Sequence, residues 1–139
     1  MGRREMCFIA FICLGCGPSP DRVNAKIDLM NIGVQYHAFF DAEKRSPANL
    51  EELIKFEDEW ANVLPGNKET QERSGTALQS QKYVVLWNAN IKGHGGSSSD
   101  IVLAYEKDVP TKGGLVCMQS GEVKQMSADE FAKAEKAGQ

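Results

Sequence analysis

The chain is poor in the residues that carry most protein chemistry. It holds two histidines, two tryptophans and four cysteines in 139 residues, and Cys7, Cys13 and Cys16 all stand near the amino terminus. That leaves Cys117 alone in the body. A lone thiol can form neither an internal disulfide nor a cysteine-based zinc site, which needs several ligands. Its setting in the apolar run Gly-Leu-Val-Cys-Met predicts a buried, inert small side chain. Positive charge is not in excess either: Lys plus Arg is 16, Asp plus Glu is 19, and the net charge is −3. No Lys/Arg cluster is interleaved with aromatics, so a nucleic-acid partner is not expected. The sequence shows no internal repeat, nucleophile elbow, metalloprotease helix or nucleotide fingerprint. On this inventory a non-enzymatic protein without a cofactor is expected.

Long apolar runs are missing too. The segment from Cys7 to Leu14 is uncharged but only eight residues long. As a helix it would rise roughly 12 Å, against a hydrocarbon core of about 30 Å, so it cannot span a bilayer. Arg3 and Arg4 precede it, and Gly15, Cys16, Gly17 and Pro18 follow. A cationic start, a short apolar stretch and a small-residue end are the parts of a secretory signal. A leader cut by the ordinary signal peptidase and a buried N-terminal strand are the other two readings of this stretch. Pro18 and Pro20 disfavour continued regular structure, because proline removes a donor and restricts its neighbour. The expected organisation is a leader over residues 1–16, a tether over 17–21 and one domain over 22–139. A composition of 42% hydrophobic and 25% charged residues suits that domain.

Within it, Val23, Ile27, Met30 and Val34 recur at spacings of four, three and four, which puts them on one face of a helix over 22–42. Leu29, Ile32, Tyr36, Phe39 and Phe40 widen that stripe enough to require broad cover, such as a sheet. Gly33 costs roughly 1 kcal/mol relative to Ala in mid-helix and would permit close backbone approach. Asn49 with Glu52 resembles a capping box before a short helix whose apolar side is Leu50, Leu53, Ile54 and Trp60. Residues 62–80 are polar and read as a long loop, with at most one short strand. Strands are expected over 82–91, 101–107, 115–119 and 122–126, with Ser120-Gly121 as a two-residue hairpin connection. Ser127 with Glu130 repeats the capping box before a short terminal helix. Helices followed by strands indicate an α+β fold: a long N-terminal helix packed on a small antiparallel sheet of three to four strands.

Three stretches resemble known families. Cys-Leu-Gly-Cys (13–16) resembles the lipobox of bacterial lipoproteins, with Gly15 before the cysteine and Cys13 where leucine is usual. The resemblance implies lipidation at Cys16. Residues 28–53, DLMNIGVQYHAFFDAEKRSPANLEEL, resemble the C-terminal part of the spine helix of type IV pilins and type II secretion pseudopilins. Residues 101–131 look like the C-terminal sheet of prepilin-like proteins of planctomycete-type bacteria, with Ser120-Gly121-Glu122 where that family has Asp-Gly-His. The N-terminus lacks the prepilin cleavage pattern and its long apolar helix. Together the resemblances imply a pilin-like head held to the membrane by lipid. Several acyl chains anchor firmly where one does not. They imply a location in the cell envelope, with the head on the extracytoplasmic side, and envelope or secretion proteins as partners in assembly.

Few residues are candidates for ligand contact. His37 and Asp41 form an i,i+4 pair that could hold a metal or orient a base, or simply be a surface pair. His94 lies in Lys-Gly-His-Gly-Gly-Ser-Ser-Ser, which Asp100 closes; backbone amides of such a loop can cradle an anion, although P-loop spacing is absent. A flexible hairpin tip is the alternative. With Trp87, the 92–100 loop would make a small metal- or glycan-binding module, the second functional reading. Asp41 with Glu43, and Glu57-Asp58-Glu59, could collect calcium, but no EF-hand loop is present.

Overall fold

A computed structural model describes residues 19–61, 68–91 and 100–138. The leader, Cys16, His94 and most of the 92–100 loop therefore lie outside the described residues. Helix α1 spans Pro20–Glu43. Ser19 caps it in an extended conformation, and Pro20 occupies the first turn, where its missing N–H would be unpaired anyway. The helix thus starts within the stretch expected to be a tether. It ends at Lys44, whose left-handed backbone (φ 57°) returns its N–H to the Phe40 carbonyl at 2.8 Å.

The buried side of α1 is not the one centred on Val23, Ile27, Met30 and Val34. Leu29, Ile32, Tyr36 and Phe39 are at most 2% exposed, whereas Val23, Met30 and Val34 are 43%, 44% and 56% exposed. At about 100° per residue the two sets point in roughly opposite directions. Periodicity finds both stripes but does not rank them. The inner one wins because its aromatics bury more area and because Gly33 lets the sheet approach: a Cβ there would sit 2.8 Å from Cys117 Sγ.

Helix α2 spans Leu50–Ala61. Asn49 Oδ1 accepts from the Glu52 N–H at 2.9 Å, as the capping pattern predicts. The reciprocal arm reaches one residue further back, since Glu52 Oε2 accepts from the Ala48 N–H at 2.6 Å. The Arg45 guanidinium pairs with the same carboxyl, and these two contacts hold its pKa down at about 2. The stretch expected to be a loop holds a third helix instead, α3 (Lys68–Gln79). Its buried positions are Gln71, Ser74, Ala77 and Leu78, at helical spacing but mostly polar. A search for apolar periodicity passes over such a face.

The sheet is β1 (Tyr83–Val85), β2 (Val102–Glu106), β3 (Gly114–Met118) and β4 (Val123–Met126), antiparallel in the order β1-β2-β3-β4. The fold is α+β, as the element order implies. The first strand is much shorter than 82–91. The Leu86 N–H still donates to the Leu103 carbonyl of β2 at 2.9 Å, but beyond it the chain turns to other elements: Tyr36 Oη donates to the Leu86 carbonyl at 3.0 Å and accepts from the Ala89 N–H at 3.1 Å. The Asn88 N–H donates to the Pro47 carbonyl at 3.0 Å. The β3–β4 hairpin turns through Gln119-Ser120-Gly121, one residue more than expected. Met118 N–H pairs with the Glu122 carbonyl, and Gly121 takes a positive φ of 86°, which glycine adopts at little cost.

Two short helices cover the far side of the sheet: α4 (Val109–Lys112) and α5 (Ala128–Lys133). Ser127 and Glu130 cap α5 reciprocally, as their spacing predicts. Along β3, Leu115 and Cys117 join α1 in one core while Val116 and Met118 join Phe131 in the other. Burial on both faces explains why this strand reads as a continuous apolar run.

Candidate functional site

Among the described residues, the sequence-predicted ligand residues His37, Asp41, Asp100 and Trp87 do not gather into one site. His37 is half-buried on α1, its Nε2 2.6 Å from the main-chain carbonyl of Gln119. Asp41 is exposed one turn on. Asp100 stands at the same end of the sheet, since the following Ile101 carbonyl accepts from the Gln119 N–H at 2.7 Å. Its carboxylate, however, turns to Lys124 Nζ at 3.5 Å. Trp87 is half-buried and stacks on Tyr36, with ring centroids 6.3 Å apart. Among the described residues, no three His, Cys, Asp or Glu side chains converge as a metal would require. The run Glu57-Asp58-Glu59 cannot collect a calcium ion either. It lies within α2, where successive residues diverge by about 100°, and only Glu57 turns inward.

That inward turn creates the most unusual polar environment among the described residues. Glu57 continues the apolar stripe of α2 at Leu50, Leu53 and Ile54, which aims its carboxyl at α3. It is 3% exposed. Gln71, on the facing side of α3, is 8% exposed. Among the described residues, neither Glu57 Oε1 nor Gln71 Oε1 has a hydrogen-bond partner. The two line a cavity of about 530 Å³ between the helices, together with Ile54, Lys68, Glu72 and Thr76. Gly75 lines the wall as well, and a Cβ there would make ordinary contact with Glu57 Oε2, at 3.7 Å. Burial, assisted by the neighbouring Asp58 charge, pushes the Glu57 carboxyl up to about 7.

A buried polar atom without a partner costs free energy. Once ionised, the Glu57 carboxylate and the Gln71 amide oxygen cannot relieve each other, because both are acceptors. The arrangement therefore suits a group that brings donors. The sequence does carry a signal for it, namely a glutamate at a helix position otherwise reserved for the core. The partner helix was hidden by its polar face.

A second polar cluster holds the framework together. Arg73 Nε donates to Asp28 Oδ1 at 2.8 Å and Tyr83 Oη donates to Asp28 Oδ2 at 3.0 Å, tying α3 and β1 to α1. Burial and the adjacent Asp28 carboxylate raise the Tyr83 pKa. Cys117 is fully buried, and burial pushes its thiol up to about 12, so it is inert as its setting predicts.

Compared with protein-family models, curated proteins and solved structures, the chain shows no significant match. Among the described residues, no helix is long and apolar enough to cross a membrane.

Proposed function

We propose that this is a non-catalytic, lipid-tethered protein of the cell envelope whose pilin-like head associates with a second copy of itself through the outer stripe of α1. The carrying observation is that stripe: Val23, Met30 and Val34 are large, apolar and exposed, with Ile27 half-buried among them. Their four-three-four spacing is that of alternating d and a positions of a coiled-coil seam, with β-branched Ile27 and Val34 at a. A helix apolar on two opposed faces needs cover on both, and the sheet covers one.

A second copy fits the stripe in parallel orientation. The tether joins α1 at its N-terminal end, so two copies on one membrane hold their helices pointing the same way. Each side chain then meets its counterpart. The flanking positions Asn24, Lys26, Asn31 and Gly33 carry a single charge among them, so no like charges oppose. Four layers along roughly 16 Å of helix fall short of the roughly 800 Å² per partner that a standard stable interface buries. Association is therefore weak in solution and depends on the effective concentration that a shared membrane provides.

The test is cysteine cross-linking of full-length Met30→Cys in membranes of expressing cells. Lipidated protein should give a cross-linked dimer. Val34→Glu should abolish it without loss of protein, and Cys16→Ser should both release the head and remove the dimer. A tethered head that stays monomeric, or dimers that survive Val34→Glu, would overturn the proposal.

A further inference from the structure

We propose that the cavity between α2 and α3 binds a primary alkylammonium group, with Glu57 and Gln71 supplying the acceptor oxygens. Three observations on that cavity converge. First, two acceptors more than nine-tenths buried face it with no partner among the described residues, and a primary ammonium offers three donors and no acceptor. Second, the surrounding charge is negative. Glu57, Asp58 and Glu72 line the cavity against a single cation, Lys68, which stands 82% exposed at the rim, 3.8 Å from Glu72. Third, the cavity is too large for a bare ion and Ile54 contributes apolar wall, so it accommodates an alkyl chain behind the charged head.

A metal ion is the poorer occupant. Calcium takes six to eight oxygen ligands and magnesium demands near-ideal octahedral geometry. Two buried oxygens on facing helices meet neither demand, and among the described residues no three acidic, histidine or cysteine side chains converge there. An ammonium is satisfied by two or three acceptors at ordinary hydrogen-bond distance. The same chemistry comes from a free diamine or from the lysine side chain of a peptide, and the test separates these sources.

The full chain, isotopically labelled, is titrated at pH 8 with putrescine, with Nα-acetyl-lysine methylamide and with neutral n-butanol. Amide shifts should map to residues 54–58 and 71–79 for the amines and be absent for butanol. Glu57→Gln and, independently, Gln71→Leu should each weaken amine binding by tenfold or more. Lys68→Ala, which removes the one cation among the described lining residues, should tighten it up to about threefold. Tighter binding of putrescine identifies a free polyamine as the occupant, and tighter binding of the lysine derivative identifies a peptide side chain. No shifts with 10-fold excess amine at millimolar concentration, equal binding of butanol, or binding that survives both substitutions would overturn the proposal.

Discussion

Replacing Gly33 by alanine tests how α1 meets the sheet. On an isolated helix the change is favourable, by roughly 1 kcal/mol, because alanine is the best helix former and glycine among the worst. Here the new Cβ would lie 2.8 Å from Cys117 Sγ, well inside ordinary contact. Neither side can yield cheaply. Cys117 is fully buried within β3, paired on both edges with β2 and β4. Overpacking of this kind costs typically 1–3 kcal/mol. Set against the propensity gain, Gly33→Ala should destabilise by about 1 kcal/mol.

Cys117→Ala alone should also destabilise, by about 1 kcal/mol, through the small void it leaves. In the double variant the methyl of residue 33 enters the space vacated by sulfur. Stability should return to within about 0.5 kcal/mol of the parent, a coupling of about 2 kcal/mol between the sites. The measurement is urea unfolding of the four proteins followed by far-UV circular dichroism, with equal slopes as a check on two-state behaviour. A stabilised Gly33→Ala protein, with effects that simply add, would refute the close approach of α1 to β3.

Two further substitutions probe buried polar groups. Tyr36→Phe keeps the ring but strands the Ala89 N–H and the Leu86 carbonyl, both bonded to its hydroxyl; it should cost about 1–3 kcal/mol and speed hydrogen exchange at Ala89. Glu57→Gln should change how stability depends on pH. The folded carboxyl titrates near 7 against an ordinary 4.5, so between these values the folded state keeps a proton that the unfolded state has released. Stability therefore falls as pH rises from about 4.5 to 7 and then levels off, by up to about 3 kcal/mol. The glutamine variant should lack that decline and be the more stable protein at pH 8. Parallel pH profiles of thermal unfolding would show that Glu57 is not the group responsible.

How much of this was legible in the sequence follows from what each signal measures. Capping pairs are local chemistry, and both Asn49-Glu52 and Ser127-Glu130 act where their spacing puts them. The β2, β3 and β4 strands announce themselves through β-branched residues and glycine turns. By contrast α3 was illegible, because it buries Gln71 and Ser74 where a hydrophobic pattern expects leucines. The end of β1 was illegible for another reason. Nothing in Leu86-Trp87-Asn88 forbids a strand; the hydroxyl of Tyr36 and the carbonyl of Pro47, both distant in sequence, take the Leu86 carbonyl and the Asn88 N–H from the sheet. The candidate site fell between these cases, since Glu57 stood out of place on its helix while the residues facing it did not.

The two features that the fold itself leaves unresolved are mirror images. On α1, apolar side chains face water; on α2, a carboxyl faces the interior. A sequence selected only for stability would exchange them, and a local rule broken without relief inside the domain is the mark expected of a functional position. They are also separable. Val34 and Glu57 lie on different helices, and neither lines the other's surface. Val34→Glu should therefore leave amine binding intact, and Glu57→Gln should leave membrane cross-linking intact. Loss of both activities in either single variant would mean that the two surfaces report one property, the integrity of the head, and not two binding functions.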